Sequence, residues 1–185
     1  MTDPAVMVDE RRMGMRRGKM IAAGLAVCAV GAGITVNAYA ASTTFEMRKK
    51  AVSLLGIMTT SNYQKNVTRG EFAEFLVKAS DYKETANVAG TLSVFADVSS
   101  KSQYSAAIRT AAMNSWMSGY LGGNFKPDEG VTMRDAIKAV LAVLGYTNED
   151  FSGSLQESRL AKFKSLSLDS DIYRDLDEIL TREDC

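Results

Sequence analysis

The sequence predicts a mainly α-helical protein assembled from helix–loop–helix copies, and three observations lead there. Apolar side chains recur at helical spacing on both sides of short loops rich in glycine and other turn formers. Three threonines, Thr68, Thr132 and Thr181, each stand three residues before an acid at what reads as a helix start. The 185 residues balance 22 basic against 22 acidic groups and are 46% apolar, the composition of a chain that packs a core.

The first forty residues read as a leader. Arg11, Arg12, Arg16, Arg17 and Lys19 precede an uncharged run from Met20 to Val36, and Ala38-Tyr39-Ala40 follows as a small-x-small cleavage pattern. Residues 1–40 are therefore expected to be a secretory signal peptide; an uncleaved membrane anchor is the alternative, since the apolar run is long for a cleaved signal and short for a span. Val27 argues against lipid attachment at Cys28, and the paired arginines also allow a twin-arginine export reading. Cleavage after Ala40 leaves Cys185 as the single cysteine, so the exported part holds no internal disulfide and rests on packing.

A first copy, expected over residues 41–88, places Met47, Ala51, Leu54, Leu55 and Met58 on an opening helix and Phe72, Phe75, Leu76 and Ala79 on a closing one. A linker from Asp81 to Ser93 follows. The second copy, residues 94–146, is the clearest. Tyr104, Ala107, Ile108 and Ala111 fall at i, i+3, i+4 and i+7, which predicts a helix from about residue 103 to 117. The loop Gly119-Tyr120-Leu121-Gly122-Gly123-Asn124-Phe125-Lys126-Pro127-Asp128 then turns tightly, and Ile137, Val140, Leu141 and Leu144 define a second helix that Gly145 stops. A third copy, residues 150–185, begins with Leu160, Phe163 and Leu166 and reaches Thr181-Arg182-Glu183-Asp184-Cys185, a helix start, so it is expected to be incomplete at its C-terminal side.

Thr68-Arg69-Gly70-Glu71 has the form of a capping box; Thr132 with Asp135 and Thr181 with Asp184 repeat it with a shorter acid. Capping leaves Arg69 and Arg182 unexplained, because a cation in the first turn opposes the helix dipole. An arginine placed there twice suggests a ligand. Trp116 and Tyr120, beside the glycine loop, are candidate faces for sugar rings, whereas Phe125 has core spacing.

Phe95-Ala96-Asp97-Val98, Met117-Ser118-Gly119-Tyr120, Gly123-Asn124-Phe125-Lys126-Pro127-Asp128 and Val131-Thr132, occurring in that order, resemble an S-layer homology repeat. Val67-Thr68-Arg69-Gly70-Glu71-Phe72-Ala73 and Ile179-Leu180-Thr181-Arg182-Glu183-Asp184 resemble the same family's Thr-Arg-x-Glu motif. The resemblance implies three repeats in a pseudo-threefold helical arrangement, and non-covalent anchoring to the bacterial cell surface through secondary cell-wall polysaccharide, bound in grooves between repeats at a pyruvylated sugar. It implies a glycan-binding role for Thr68, Arg69 and Glu71, for Thr132 and Asp135, and for Thr181, Arg182 and Asp184, with arginine facing an acidic group on the glycan. Met133 stands where the second copy's arginine belongs, and Arg134 lies one position on.

Other functions find less support. The sequence has no histidine, which excludes Ser-His-Asp and Cys-His catalysis and histidine-ligated zinc. Residues 41–185 carry 17 basic and 19 acidic groups, leaving no basic patch for nucleic acid. The acidic run Asp169, Asp171, Asp175, Asp177 and Glu178 lacks the glycine and ligand spacing of a calcium loop. Neither metal nor cofactor is expected, and no carboxylate pair is marked for acid and base work. The alternatives are the targeting portion of a surface enzyme, such as a cell-wall hydrolase with its catalytic module elsewhere, or a membrane-tethered helical structural protein.

Overall fold

The computed structural model describes residues 39–59, 61–86 and 93–185, all within one unit spanning residues 31–185. The expected leader lies outside the described residues except for Tyr39 and Ala40, which open the first helix. Five α-helices follow in order: α1 (Tyr39–Leu54), α2 (Arg69–Lys78), α3 (Ser105–Met113), α4 (Met133–Val143) and α5 (Leu155–Ser165). Among the described residues there is no extended strand, only isolated bridges, so the chain is mainly α as the periodicity predicts. No described helix is long and apolar enough to cross a membrane.

Helices pair across the loops: α2 packs on α3, α4 packs on α5, and α2 touches α4. The core between them holds Phe72, Ile108, Phe125, Ile137, Leu141 and Phe163. Burying each such side chain contributes about 1.5–3 kcal/mol before chain entropy is charged against it. Thr68, Thr132 and Ser154 cap α2, α4 and α5 by accepting from the amides of Glu71, Asp135 and Glu157. Gly145, at φ +88°, ends the α4 segment where a Cβ would be strained.

The helix starts meet one another. The residues just before the three threonines form a closed cycle of backbone bonds: Val131 N–H donates to Val67 C=O at 2.9 Å, Leu180 N–H to Val131 C=O at 3.0 Å, and Val67 N–H to Leu180 C=O at 2.8 Å. Three antiparallel bridges, Thr68 with Gly130, Thr132 with Ile179 and Thr181 with Asn66, run around the same cycle. At Gly130 a Cβ would fall 2.6 Å from the Ile179 side chain, so any larger residue there would force Ile179 to shift.

The cycle solves a local problem. The first amides of a helix have no intrahelical partner. Here the amides of Arg69 and Gly70 donate to the carbonyls of Glu129 and Pro127, those of Met133 and Arg134 to Glu178 and Leu176, and those of Arg182 and Glu183 to Lys65 and Tyr63. Each threonine turn hands its orphan donors to the segment entering the next.

The opening helix of the first copy differs from its expectation. Met47 and Leu54 of α1, and Leu55 just past its end, were expected on an apolar face but are 67%, 77% and 59% exposed. The physical reason is the packing order: α3 and α5 are covered by α2 and α4, helices that leave the Thr68 and Thr132 turns, whereas the Thr181 turn leads into no helix among the described residues. What holds α1 is peripheral: Arg48 pairs with Asp171 at 2.5 Å, Lys83 reaches the Leu55 carbonyl, and Phe45 meets Tyr63 edge-on.

Candidate functional site

Every threonine-turn residue singled out in the sequence lies in or beside the cycle. The Thr68 turn is a full capping box: the Thr68 hydroxyl accepts from the Glu71 amide, and the Glu71 carboxylate accepts from the Thr68 amide, both at 3.2 Å. In the Thr132 turn only the first half forms, at 3.3 Å. In the Thr181 turn the Asp184 carboxylate accepts from the Thr181 amide at 2.7 Å and from its hydroxyl at 2.8 Å.

The acids' other bonds reach between turns. Arg69 pairs with Asp135 at 2.7 Å, and Arg182 pairs with Glu71 at 2.8 Å. Arginine of one turn thus meets the acid of the next around the cycle. The third junction needs a cation on Asp184, and Met133 cannot supply it. Arg174 does so instead, with Nε 3.0 Å from Asp184 Oδ2. Arg134 points elsewhere, bonding Asp177 and Gln156.

Arg69 is only 3% exposed. Nε donates to the Phe125 carbonyl at 3.0 Å, Nη2 to the Ser118 carbonyl at 2.8 Å, and Nη1 to Asp135. Its guanidinium lies 4.7 Å from the ring centres of both Tyr120 and Phe125. The cation that the helix dipole disfavours is therefore met by acceptors and π faces of the neighbouring loop. Arg182 is less enclosed, donating to the Ser61 carbonyl besides Glu71. Burial pushes the Glu71 carboxyl up, but the Thr68 amide, Arg182 and Lys65 outweigh it and hold the group below its ordinary value.

The two candidate aromatics part company. Trp116 is buried, edge-on to Tyr82 at 5.6 Å. Tyr120 stays 42% exposed, with Arg69 on its ring and Lys126 at 4.8 Å. Phe125 is wholly enclosed beside Phe95.

Sequence reasoning missed two residues that hold this region. Asp97 accepts from the amides of Phe125 at 2.8 Å and Lys126 at 2.6 Å, pinning the glycine loop from 28 residues away. These amide bonds hold its carboxyl low against the upward push of burial. Arg174 sits inside the acidic run from Asp169 to Glu178, where no local pattern marks it. Phe95-Ala96-Asp97-Val98 was the available signal for the first; for the second only the Met133 exception pointed at all.

Residues 94–137, which include Asp97, the glycine loop and the Thr132 turn, match the family model of the S-layer homology domain. The chain carries an S-layer homology domain. The chain is 26% identical over 123 residues to the Middle cell wall protein of Brevibacillus brevis, covering 65% of this chain and 12% of that protein. It is 27% identical over 104 residues to the Surface layer protein of Brevibacillus choshinensis, covering 56% of this chain and 9% of that protein. The chain thus spans about a tenth of the length of these relatives.

Proposed function

We propose that this chain holds a secreted protein at the bacterial cell surface by binding secondary cell-wall polysaccharide non-covalently. The observation that carries the reading is the S-layer homology domain at residues 94–137, whose defining loop is fastened by Asp97 and Arg69 into a fixed shape. The names of the relatives, a cell wall protein and a surface layer protein, support the same location. The reading makes the chain a binding module, and assigns it no catalytic step.

The three copies, with the boundaries 41–88, 94–146 and 150–185, form a pseudo-threefold arrangement in this reading, and the closed cycle of backbone bonds supports it. Thr68, Arg69, Glu71, Thr132, Asp135, Thr181, Arg182 and Asp184 shape the junctions and set the groove walls. Tyr120, exposed and cation-backed, offers its face to a sugar ring, and a pyruvylated sugar would find Lys126 beside it. Retention on purified sacculi, before and after chemical removal of the secondary polymer, tests the reading. Retention only on polymer-bearing sacculi is expected; equal retention on stripped sacculi contradicts it.

A further inference from the structure

On most described helices an exposed large apolar side chain is a single terminal residue or absent. Met113 is the last residue of α3, Leu155 is the first of α5, and α2 and α4 expose none within their bounds. The exception is α1. Met47 and Leu54 are exposed two turns apart, Ala51 is exposed between them, and Leu55, whose amide still donates to the Ala51 carbonyl at 2.9 Å, continues the same stripe. Phe45 and Val52, farther round the helix, are half-buried, so the stripe is turned away from the rest of the chain. Contiguous apolar surface of this kind marks an interaction site, whereas lone apolar residues need no explanation.

The packing order says what kind of cover this stripe takes. α3 is covered by α2 and α5 by α4, and α1 makes no pairing of that strength among the described residues. Because α2 to α5 spend their apolar faces on one another, a second copy of the chain brings one free apolar face, its own α1. With 16 residues α1 is longer than α2, of 10, and α4, of 11, so it can take the place over its counterpart that those helices take over α3 and α5.

The pattern of the stripe also suits self-pairing. Met47, Ala51 and Leu55 are four residues apart, a ridge of the kind that seats in the groove of a facing helix, and the smallest side chain is at its centre. About a two-fold axis at Ala51 the helices approach closely, and Met47 of each copy meets Leu55 of the other. A lipid surface suits this face less well. Two of the three cations on α1, Arg48 and Lys49, are held by Asp171 and Glu46, whereas a membrane-surface helix keeps a strongly basic polar face.

We propose that the exposed face of α1 is a dimer interface, in which the α1 helices of two copies pair antiparallel about a two-fold axis at Ala51. The inference stands on the packing of α1 and not on the polysaccharide reading.

Sedimentation equilibrium of the exported protein tests it, with a monomer–dimer equilibrium expected. Met47→Ser and Leu55→Ser should each weaken the dimer by about tenfold or more, since each removes a buried apolar side chain from both copies. The melting temperature of dilute protein should not change, because these side chains are exposed in the single copy. Ala51→Cys and Ser53→Cys, each made with Cys28→Ser and Cys185→Ser, map the face. Ser53 is exposed but lies about 200° around the helix from Ala51, so mild oxidation should link copies through position 51 and not through position 53. Amides of α1 should gain hydrogen-exchange protection as protein concentration rises. A protein that stays monomeric, a dimer undiminished in both serine variants, or equal linking at the two cysteines overturns the proposal. Flotation with phosphatidylglycerol vesicles covers the other occupant: a monomer that floats, and ceases to in Leu55→Ser, gives the face to lipid and overturns the proposal as well.

Discussion

Arg69 carries more of the junction than any other side chain, because its one guanidinium satisfies two loop carbonyls and an acid while filling the space between two rings. Arg69→Ala should therefore lower stability by about 3 kcal/mol, since it strips partners from buried acceptors as well as from Asp135; denaturant unfolding measures this. Glu71 predicts a pH dependence. Its folded value lies below the ordinary 4.5, so its contribution is complete above that value and lost as pH falls through the lower folded one. Thermal melts should show an acid limb that Glu71→Gln flattens, at the cost of a lower melting temperature near neutrality. The third junction makes a cycle of variants informative. Arg174→Ala should cost about 1 kcal/mol by uncovering Asp184, and adding Met133→Arg should restore most of it, with thermal melts of the two single and one double variant as the measurement. The capping role of Thr68 was legible in four consecutive letters, whereas the partner of Arg69 lies 66 residues away at Asp135 and no local pattern names it.

At the scale of elements, α2 and α4 were legible as far as their caps, because Thr-x-x-acid and the apolar period are local signals. The α5 cap, Ser154 with Glu157, is equally local, but its serine stands outside the pattern that the three threonines share. For α1 the period was legible and the burial was not: whether an apolar face is covered depends on which helix reaches it, and that follows from the packing order of the whole chain. Gly70 teaches the same lesson, for a Cβ there would fall 2.7 Å from the Tyr104 ring of the second copy, a neighbour that its place in the Thr68 turn does not reveal. With its apolar side chains in water, α1 should open more readily than the paired helices. Hydrogen exchange should show less protection for amides in residues 45–54 than for those of α2, α3 and α4; equal protection would mean that α1 is held by contacts other than those described.

The molecule as a whole is organised by its helix starts. Segments 64 and 49 residues apart in sequence converge so that the unpaired amides of one turn are met by carbonyls entering the next, and at two of the three junctions a side-chain ion pair repeats that order outside the backbone cycle. The shared threonine-to-acid spacing was legible at Thr68, Thr132 and Thr181; the closure was not, because cyclic pairing is a property of three distant segments together. Asp97 and Arg69 hold the loop Gly119–Asp128 beside this cycle, so in the proposed function the loop would lose little entropy on binding. In the proposed function this fixed surface recognises secondary cell-wall polysaccharide. Calorimetric titration of the chain with that polymer, released from the wall and freed of peptidoglycan, tests it most directly. Saturable binding is predicted, together with none to the peptidoglycan that remains; binding to peptidoglycan alone, or heat from neither, would contradict it.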